Sequence, residues 1–280
     1  MRTLRTIAEL RAALEPLRAD GTVGLVPTMG GLHDGHVALF RAAREECGSV
    51  VASLFVNPSQ FDEADELATY PRDLARDEEI AAAAGVDLLF APAADELFPP
   101  GFATWVEPGG AAEGLEGEHR PGHFRGVATV CVKLFSIVRP DRAYFGRKDA
   151  QQVAVLRQVV RDLELELDLR VVPTVRDADG LALSSRNARL SPGERTRALA
   201  IPRALATGDP ERARAVLAAA GIEPDYVTVT DLDGPTLAIA ARVGSTRLID
   251  NVLLDGAAGG VGSTEPPGAE GPALRVPERT

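Results

Sequence analysis

Thr22-Val23-Gly24-Leu25-Val26-Pro27-Thr28-Met29-Gly30-Gly31-Leu32-His33-Asp34-Gly35-His36 is the stretch whose reading settles the fold class. It starts as a short apolar strand over Thr22 to Val26, passes through a glycine-rich turn and opens a helix from about Gly35 to Glu46. The same alternation runs outward in both directions. Upstream, Thr6-Ile7-Ala8-Glu9 has the form of a capping box and predicts a helix to about Ala19, ended by Asp20-Gly21. Downstream, Val50 to Val56 predicts a second strand, Asp73 to Ala84 a helix stopped by Gly85, and Val86 to Phe90 a third strand. Apolar residues at 127, 130, 131, 134, 135 and 138 have a helical period, so Gly126 to Val138 predicts a helix that halts before Pro140. Arg142 to Phe145 and Leu165 to Val172 read as strands flanking a helix over Asp149 to Leu163. Strands that are continuous apolar runs are buried on both faces, and strands alternating with helices make a parallel sheet.

The pattern changes after about Val175. Ser191-Pro192-Gly193-Glu194 starts a helix with serine as cap and proline in the first turn, and Pro210 to Ala220 predicts another. Tyr226 to Thr230, Thr236 to Ala241 and Arg247 to Leu254 are short strands. The expected fold class is therefore α/β, a Rossmann-like parallel sheet with helices on both faces over 1–175. A small C-terminal α+β lid domain over 176–255 follows, and then a Gly-, Pro- and Glu-rich tail over 256–280 that is expected to be disordered.

A net charge of −11 argues against nucleic acid as a partner, since phosphate backbones need a basic surface. It leaves room for a small anion in a locally basic pocket. The N-terminus lacks the apolar run of a signal peptide, and no stretch approaches the length needed to span a bilayer, so neither membrane nor export is expected. Cys47 and Cys131 have no metal spacing and read as buried free thiols of a cytoplasmic protein.

Among 30 basic residues only Lys133 and Lys148 are lysines. A lysine kept in an arginine-rich chain points to a place that needs a compact ammonium. Lys148 lies at the end of a strand, where Gly146-Arg147-Lys148-Asp149 leads into a helix, and Asp149 is placed to accept from a ribose hydroxyl or to cap that helix. Lys133 sits on a largely apolar helix and reads as a snorkelling side chain. His33 and His36 open their helix three residues apart on one face, where free amides and the dipole attract phosphate. Gly30, Gly31 and Gly35 let the backbone come close to a ligand. A zinc reading of the pair lacks a third ligand, so no metal site is expected. Ser184-Ser185-Arg186-Asn187 puts two hydroxyls and a guanidinium in one loop, suited to a polyphosphate. Asn57-Pro58-Ser59-Gln60-Phe61 ends the second strand, where ligands of open α/β sheets bind, and one of Gln151 and Gln152 can face the same cleft.

Taken in order, these segments resemble the pantothenate synthetase (pantoate:beta-alanine ligase) family of the HxGH nucleotidyltransferases, which are related to class I aminoacyl-tRNA synthetases. The resemblance also rests on Val-Asn-Pro-Ser-Gln-Phe at 56–61, Tyr-Pro-Arg at 70–72, Arg-Pro-Gly-His-Phe-Arg-Gly-Val at 120–127 and Thr-Arg-Leu-Ile-Asp-Asn at 246–251. It implies condensation of pantoate with beta-alanine through a pantoyl adenylate, with release of pyrophosphate and AMP. It implies His36, His33 and Lys148 as catalytic residues. ATP would bind at Met29, Gly30, Gly31, Leu32, His33, Asp34, Gly35 and His36, then at Gly146, Arg147, Lys148, Asp149 and Val175, and at Leu183, Ser184, Ser185 and Arg186. Gln60 and Gln152 would hold pantoate, with Gln60 also near beta-alanine. Magnesium would arrive bound with ATP, and two copies of the chain would pair as a homodimer. The family usually has Glu and an aromatic where Arg147 and Ala150 stand here, its C-terminal domain is longer between Leu205 and Asp225, and the tail is an addition. Two other classes compete. A simple adenylyl- or cytidylyltransferase would keep the nucleotide on its product, and a regulatory protein would bind ATP without turnover.

Overall fold

The computed structural model describes residues 1–61, 67–68, 70 and 72–254. The tail expected over 256–280 and Pro71 of the Tyr-Pro-Arg motif lie outside the described residues.

The strands β1 (Arg2–Leu4), β2 (Val23–Thr28), β3 (Ser49–Leu54), β4 (Leu88–Phe90), β5 (Arg142–Gly146) and β6 (Asp168–Val172) form one sheet in the order β1-β4-β3-β2-β5-β6, and every pair in it is parallel. β2 and β3 are buried almost throughout, as parallel strands covered on both faces should be. On one face lie α1 (Ile7–Asp20) and α6 (His123–Val138), packed on Leu25, Val51, Phe90 and Phe145. On the other lies α2 (Asp34–Glu46) with α3 (Leu74–Ala83), packed on Val26, Val50, Ala52 and Leu89. Chain order reverses at β2, which has β3 on one side and β5 on the other. That reversal opens a crevice beyond the carboxyl ends of β2 and β5.

Several expected boundaries move, three of them for local reasons. The helix expected from Gly126 begins at His123, because its N-cap is Gly122 at φ 83°, which offers no side-chain cap to read. The strand expected from Leu165 begins at Asp168, since Glu164 turns at φ 49° and Leu165 closes the end of α7 (Ala150–Asp162) by donating to Val160. The strand expected from Val86 begins at Leu88, because the Val86 amide still donates to Ala81 of α3. The edge strand β1 has no counterpart among the expected elements.

After β6 the chain builds α8 (Pro192–Ala198), α9 (Ala200–Leu205) and α10 (Pro210–Ala219). These cover an antiparallel sheet β7-β8-β9, formed by Pro224–Asp231, Pro235–Val243 and Thr246–Leu253. This layer has its own core around Ile201, Leu217, Leu237 and Ile239. Between the two layers, α5 (Leu115–His119) supplies Glu116, which accepts from both terminal nitrogens of Arg247 at 2.6 and 2.7 Å and from the Tyr226 hydroxyl at 2.9 Å. Desolvation pushes the Glu116 carboxyl up, but Arg247 outweighs it and holds the group below its ordinary value.

Candidate functional site

The β2 turn is held by its own layer. Buried Asp77 accepts from the amides of Gly31 at 3.0 Å and Leu32 at 2.8 Å. Gly30 has φ 84°, and a Cβ there would come within 2.9 Å of an Asp77 oxygen, so the turn needs glycine. At the start of α2 the two histidines cap each other's turn. The Gly35 amide donates to His33 Nδ1 at 3.1 Å, and the His33 amide donates to His36 Nδ1 at 3.3 Å. A backbone donor at each Nδ1 fixes the proton of both neutral rings on Nε2. Burial and then the neighbouring His33 ring lower the His36 pKa from 6.5 to about 3. Burial and then Lys148 also lower the His33 pKa. Both imidazoles are therefore neutral donors at physiological pH.

The β5 turn is held from the other layer. Asn251 on β9 donates through Nδ2 to the carbonyls of Arg147 at 3.0 Å and Lys148 at 2.8 Å. Two facing carbonyls fix which end of the amide carries nitrogen. Asp250, beside it, is gripped by Arg176 at 2.6 and 3.0 Å. The Lys148 ammonium lies 3.3 Å from an Asp149 carboxylate oxygen. Desolvation pushes Asp149 up, but Lys148 outweighs it and the pKa is lowered. Asp149 makes no capping bond to α7, so the helix-cap reading of that residue does not hold.

Residues 57–61 close the crevice beyond β3. Asn57 caps the short turn Pro58–Gln60 by accepting from Ser59, and donates to the Gly126 carbonyl at 3.1 Å. A Cβ on Gly126 would sit 2.5 Å from the Ser59 carbonyl, so this contact requires glycine. The Gln60 carbonyl receives His123 Nδ1 at 2.9 Å and Arg120 at 3.1 Å, while its side chain spans from Asn57 to the Met29 sulfur. Of the glutamine pair, Gln151 is committed to the fold. It accepts from the Glu116 amide and donates to the carbonyls of Ala111, Glu113 and Gly114. Gln152 is the one with its amide still available at the cleft wall.

One cleft brings together Met29, Gly35, His33 and His36, Gln60 and Gln152, and Gly146, Lys148 and Asp149. Val175, Leu183, Ser184, Ser185 and Arg186 also line it. Gly30, Gly31, Leu32 and Asp34 shape the turn from behind, with Leu32 buried in the core. Arg147, expected at the nucleotide, is directed away from the cleft. Its guanidinium donates to Thr236 Oγ1 at 2.7 Å and to the Asp233 carbonyl at 3.3 Å on the C-terminal layer. Lys133, read as a snorkelling side chain, has its ammonium 4.7 Å above the Phe102 ring and 5.6 Å from that of Phe98. Sequence reasoning misses Asp77, His123 and Asn251 as site residues. The only signal for the last two is the motifs that contain them, and Asp77 has none. No group of three His, Cys, Asp or Glu side chains among the described residues could hold a metal, and no described helix is long and apolar enough to cross a membrane.

Neutral imidazole donors, an ammonium and a hydroxyl-bearing loop converge at the switch point of a parallel sheet, which is the working cleft of an α/β enzyme acting on phosphate-bearing substrates. The family model described as Pantoate-beta-alanine ligase matches residues 2–253, and the chain belongs to that family of carbon–nitrogen ligases. A pantothenate synthetase of Moorella thermoacetica is 49% identical over 280 residues, covering 91% of this chain and 99% of that protein. The crystal structure of pantothenate synthetase from Thermus thermophilus superposes with a TM-score of 0.85 at 46% identity, covering 90% of this chain and 99% of that one. A pantoate-beta-alanine ligase from Francisella tularensis, solved in complex with beta-gamma ATP and beta-alanine, superposes with a TM-score of 0.82 at 36% identity, covering 90% and 97%.

Proposed function

We propose that this cleft joins pantoate to beta-alanine in two steps, with ATP and its magnesium as substrate. In the first, the pantoate carboxylate attacks the α-phosphorus and pyrophosphate departs. The nucleophile is already an anion, so the step needs neutralisation of phosphate charge more than a general base. His33 and His36 supply Nε2–H donors, Lys148 a point charge, and Ser184, Ser185 and Arg186 grip the phosphates. In the second, the amine of beta-alanine attacks the acyl carbon and AMP leaves. Gln60 and Gln152 hold pantoate, and Gln60 also borders the amine. The observation that carries this reading is the pair of backbone donors at Nδ1 of both histidines, which leaves the proton of each ring on Nε2 at two residues that line the cleft.

Magnesium prefers to keep several waters and to bind phosphates with few protein carboxylates. A cleft of cations and hydroxyls suits a metal carried on the nucleotide, and the chain's own residues then contact the phosphates. The separate cores support reading two units that meet near residue 175, the second a lid. A homodimer and a cytoplasmic location are carried over from the family resemblance, and light scattering on purified protein tests the first.

The deciding experiment follows pyrophosphate and AMP separately. Pyrophosphate release should depend on pantoate, and sustained turnover with AMP should need beta-alanine. A nucleotidyltransferase would release no AMP after beta-alanine, and ATP binding without any turnover would leave a regulatory protein.

A further inference from the structure

Arg147 and Ala150, two of the positions at which this chain departs from its family, meet the C-terminal sheet on one face. Thr236 and Ala238 lie two residues apart on β8, so their side chains point the same way. Asn251 of β9 is the direct antiparallel partner of Ala238 and shares that face. Each of the three touches the β5 turn or the start of α7. Thr236 Oγ1 accepts from the Arg147 guanidinium at 2.7 Å, and Ala238 packs in one buried cluster with Ala150. Asn251 holds the Arg147 and Lys148 carbonyls at 3.0 and 2.8 Å. The link between β7 and β8 joins them, with the Asp233 carbonyl accepting from Arg147 at 3.3 Å and Leu232 in the Ala150 cluster. Leu232, Ala238 and Asn251 also line the catalytic cleft, so this face is part of its wall.

Stability does not account for the buried guanidinium. The Asp233 carboxylate is already met by Arg157 of α7 at 3.0 Å, while Arg147 stands 3.8 Å from its other oxygen. The Thr236 hydroxyl donates to the Gly234 carbonyl at 2.8 Å independently of the arginine. Removing the guanidinium therefore leaves no buried charge unpaired. Keeping it costs the desolvation of a cation whose Nε is buried without a partner. Buried ionic contacts of this kind add little to stability and are best attested as devices that fix one arrangement of the parts they join.

We propose that Arg147 is a positioning residue for Lys148, locking the lysine turn onto the Thr236–Asn251 face of the C-terminal sheet. The inference rests on the ligase reading above. In the first step of that reaction the bond from the carboxylate oxygen to the α-phosphorus forms. The bond from the α-phosphorus to the bridging oxygen breaks, and the electron pair leaves on pyrophosphate. That is the step in which the Lys148 ammonium neutralises charge, so its placement matters there. The second step makes and breaks bonds at the acyl carbon, after pyrophosphate has formed. Loosening the turn therefore slows adenylate formation and spares attack by the amine.

The test compares the full-length parent with Arg147→Met, Thr236→Val and the double variant. Pantoate-dependent pyrophosphate release in a single turnover should slow about tenfold in Arg147→Met, the loss of one hydrogen-bonded contact. AMP release from chemically prepared pantoyl adenylate with beta-alanine should stay within about twofold of the parent, a change too small for a lost contact. The denaturant midpoint should not move. Thr236→Val should slow the first step to the same extent, and the double variant no further, because both changes cut one link. Equal slowing of the two steps overturns the proposal, as does a lowered midpoint with the first step unchanged. Additive losses in the double variant also overturn it, since Arg147 would then act by another route. A parent protein that turns over neither ATP with pantoate nor the prepared adenylate would fail the ligase reading instead, so the two failures are distinguishable.

Discussion

The turn after β2 and the turn after β5 meet in one cleft, yet they are anchored from different places. The first is tied down within its own layer, by Asp77 of α3 and by two histidines that cap the helix they open. The second is tied down from the C-terminal layer, by Asn251 on the Arg147 and Lys148 carbonyls and by the reach of Arg147 to Thr236. The histidine side of the cleft is therefore preorganised by the fold of one sheet. The lysine side takes its final shape only when the two layers are packed together. Catalysis that depends on fixed donors can rely on the first anchor alone, whereas any separation of the layers acts first on Lys148.

This contrast can be broken from either side. The largest loss is expected for Lys148→Arg, since a planar fork does not reproduce a compact point charge on a turn fixed by Asn251. Turnover should fall on the order of 10³-fold with the thermal melt unchanged. Near-wild-type turnover would remove the case for an ammonium. His36→Ala should cost roughly 10²-fold in pantoate-dependent pyrophosphate release, because one neutral donor is lost while Lys148 stays anchored. Unaltered release would show that the ring serves α2 and not the reaction.

A paired comparison sharpens the point. Asp77→Ala orphans two amides and should cost about 2 kcal/mol in denaturant unfolding. Asn251→Ala should instead raise the KM for ATP and lower kcat about tenfold, a loss comparable to one hydrogen-bonded contact, with the KM for beta-alanine unmoved. If Asn251→Ala changed only the melting temperature, the lysine side would not depend on the second layer.

Within any one pH unit the effect is smaller, and it appears as a slope. His36 titrates near 6.5 when unfolded and at about 3 when folded, so between those values only the unfolded chain takes up the proton. Its contribution to stability is complete above 6.5 and is lost as pH falls through that window, by about 1.4 kcal/mol per pH unit. Unfolding free energies at several pH values should show this slope in the parent and not in His36→Asn.

What the sequence discloses and what it hides divide along the same line as the two anchors. The strand–turn–helix segments with His33, His36, Lys148 and the serine loop are legible because helix capping, apolar runs and scarce residue types are local signals. Asp77 is not, since it reaches Gly31 and Leu32 across 46 and 45 positions of chain. Asn251 reaches Arg147 and Lys148 across 104 and 103. Only folding brings such pairs together, and no spacing rule announces them. The neighbours of Arg147 in sequence suggest a place at the nucleotide, but a strand-end turn sends adjacent side chains to opposite sides. The edge strand β1 escapes because three residues with one buried side chain carry no period to read.

The reach of Asn251 back to Lys148 also sets an order of events during synthesis. The ribosome has made β1 to β6, both histidines and the lysine long before residue 251 emerges. At that stage the support of the lysine loop has yet to be translated, and a chain cut short before β9 lacks both contacts that hold the Arg147 and Lys148 carbonyls.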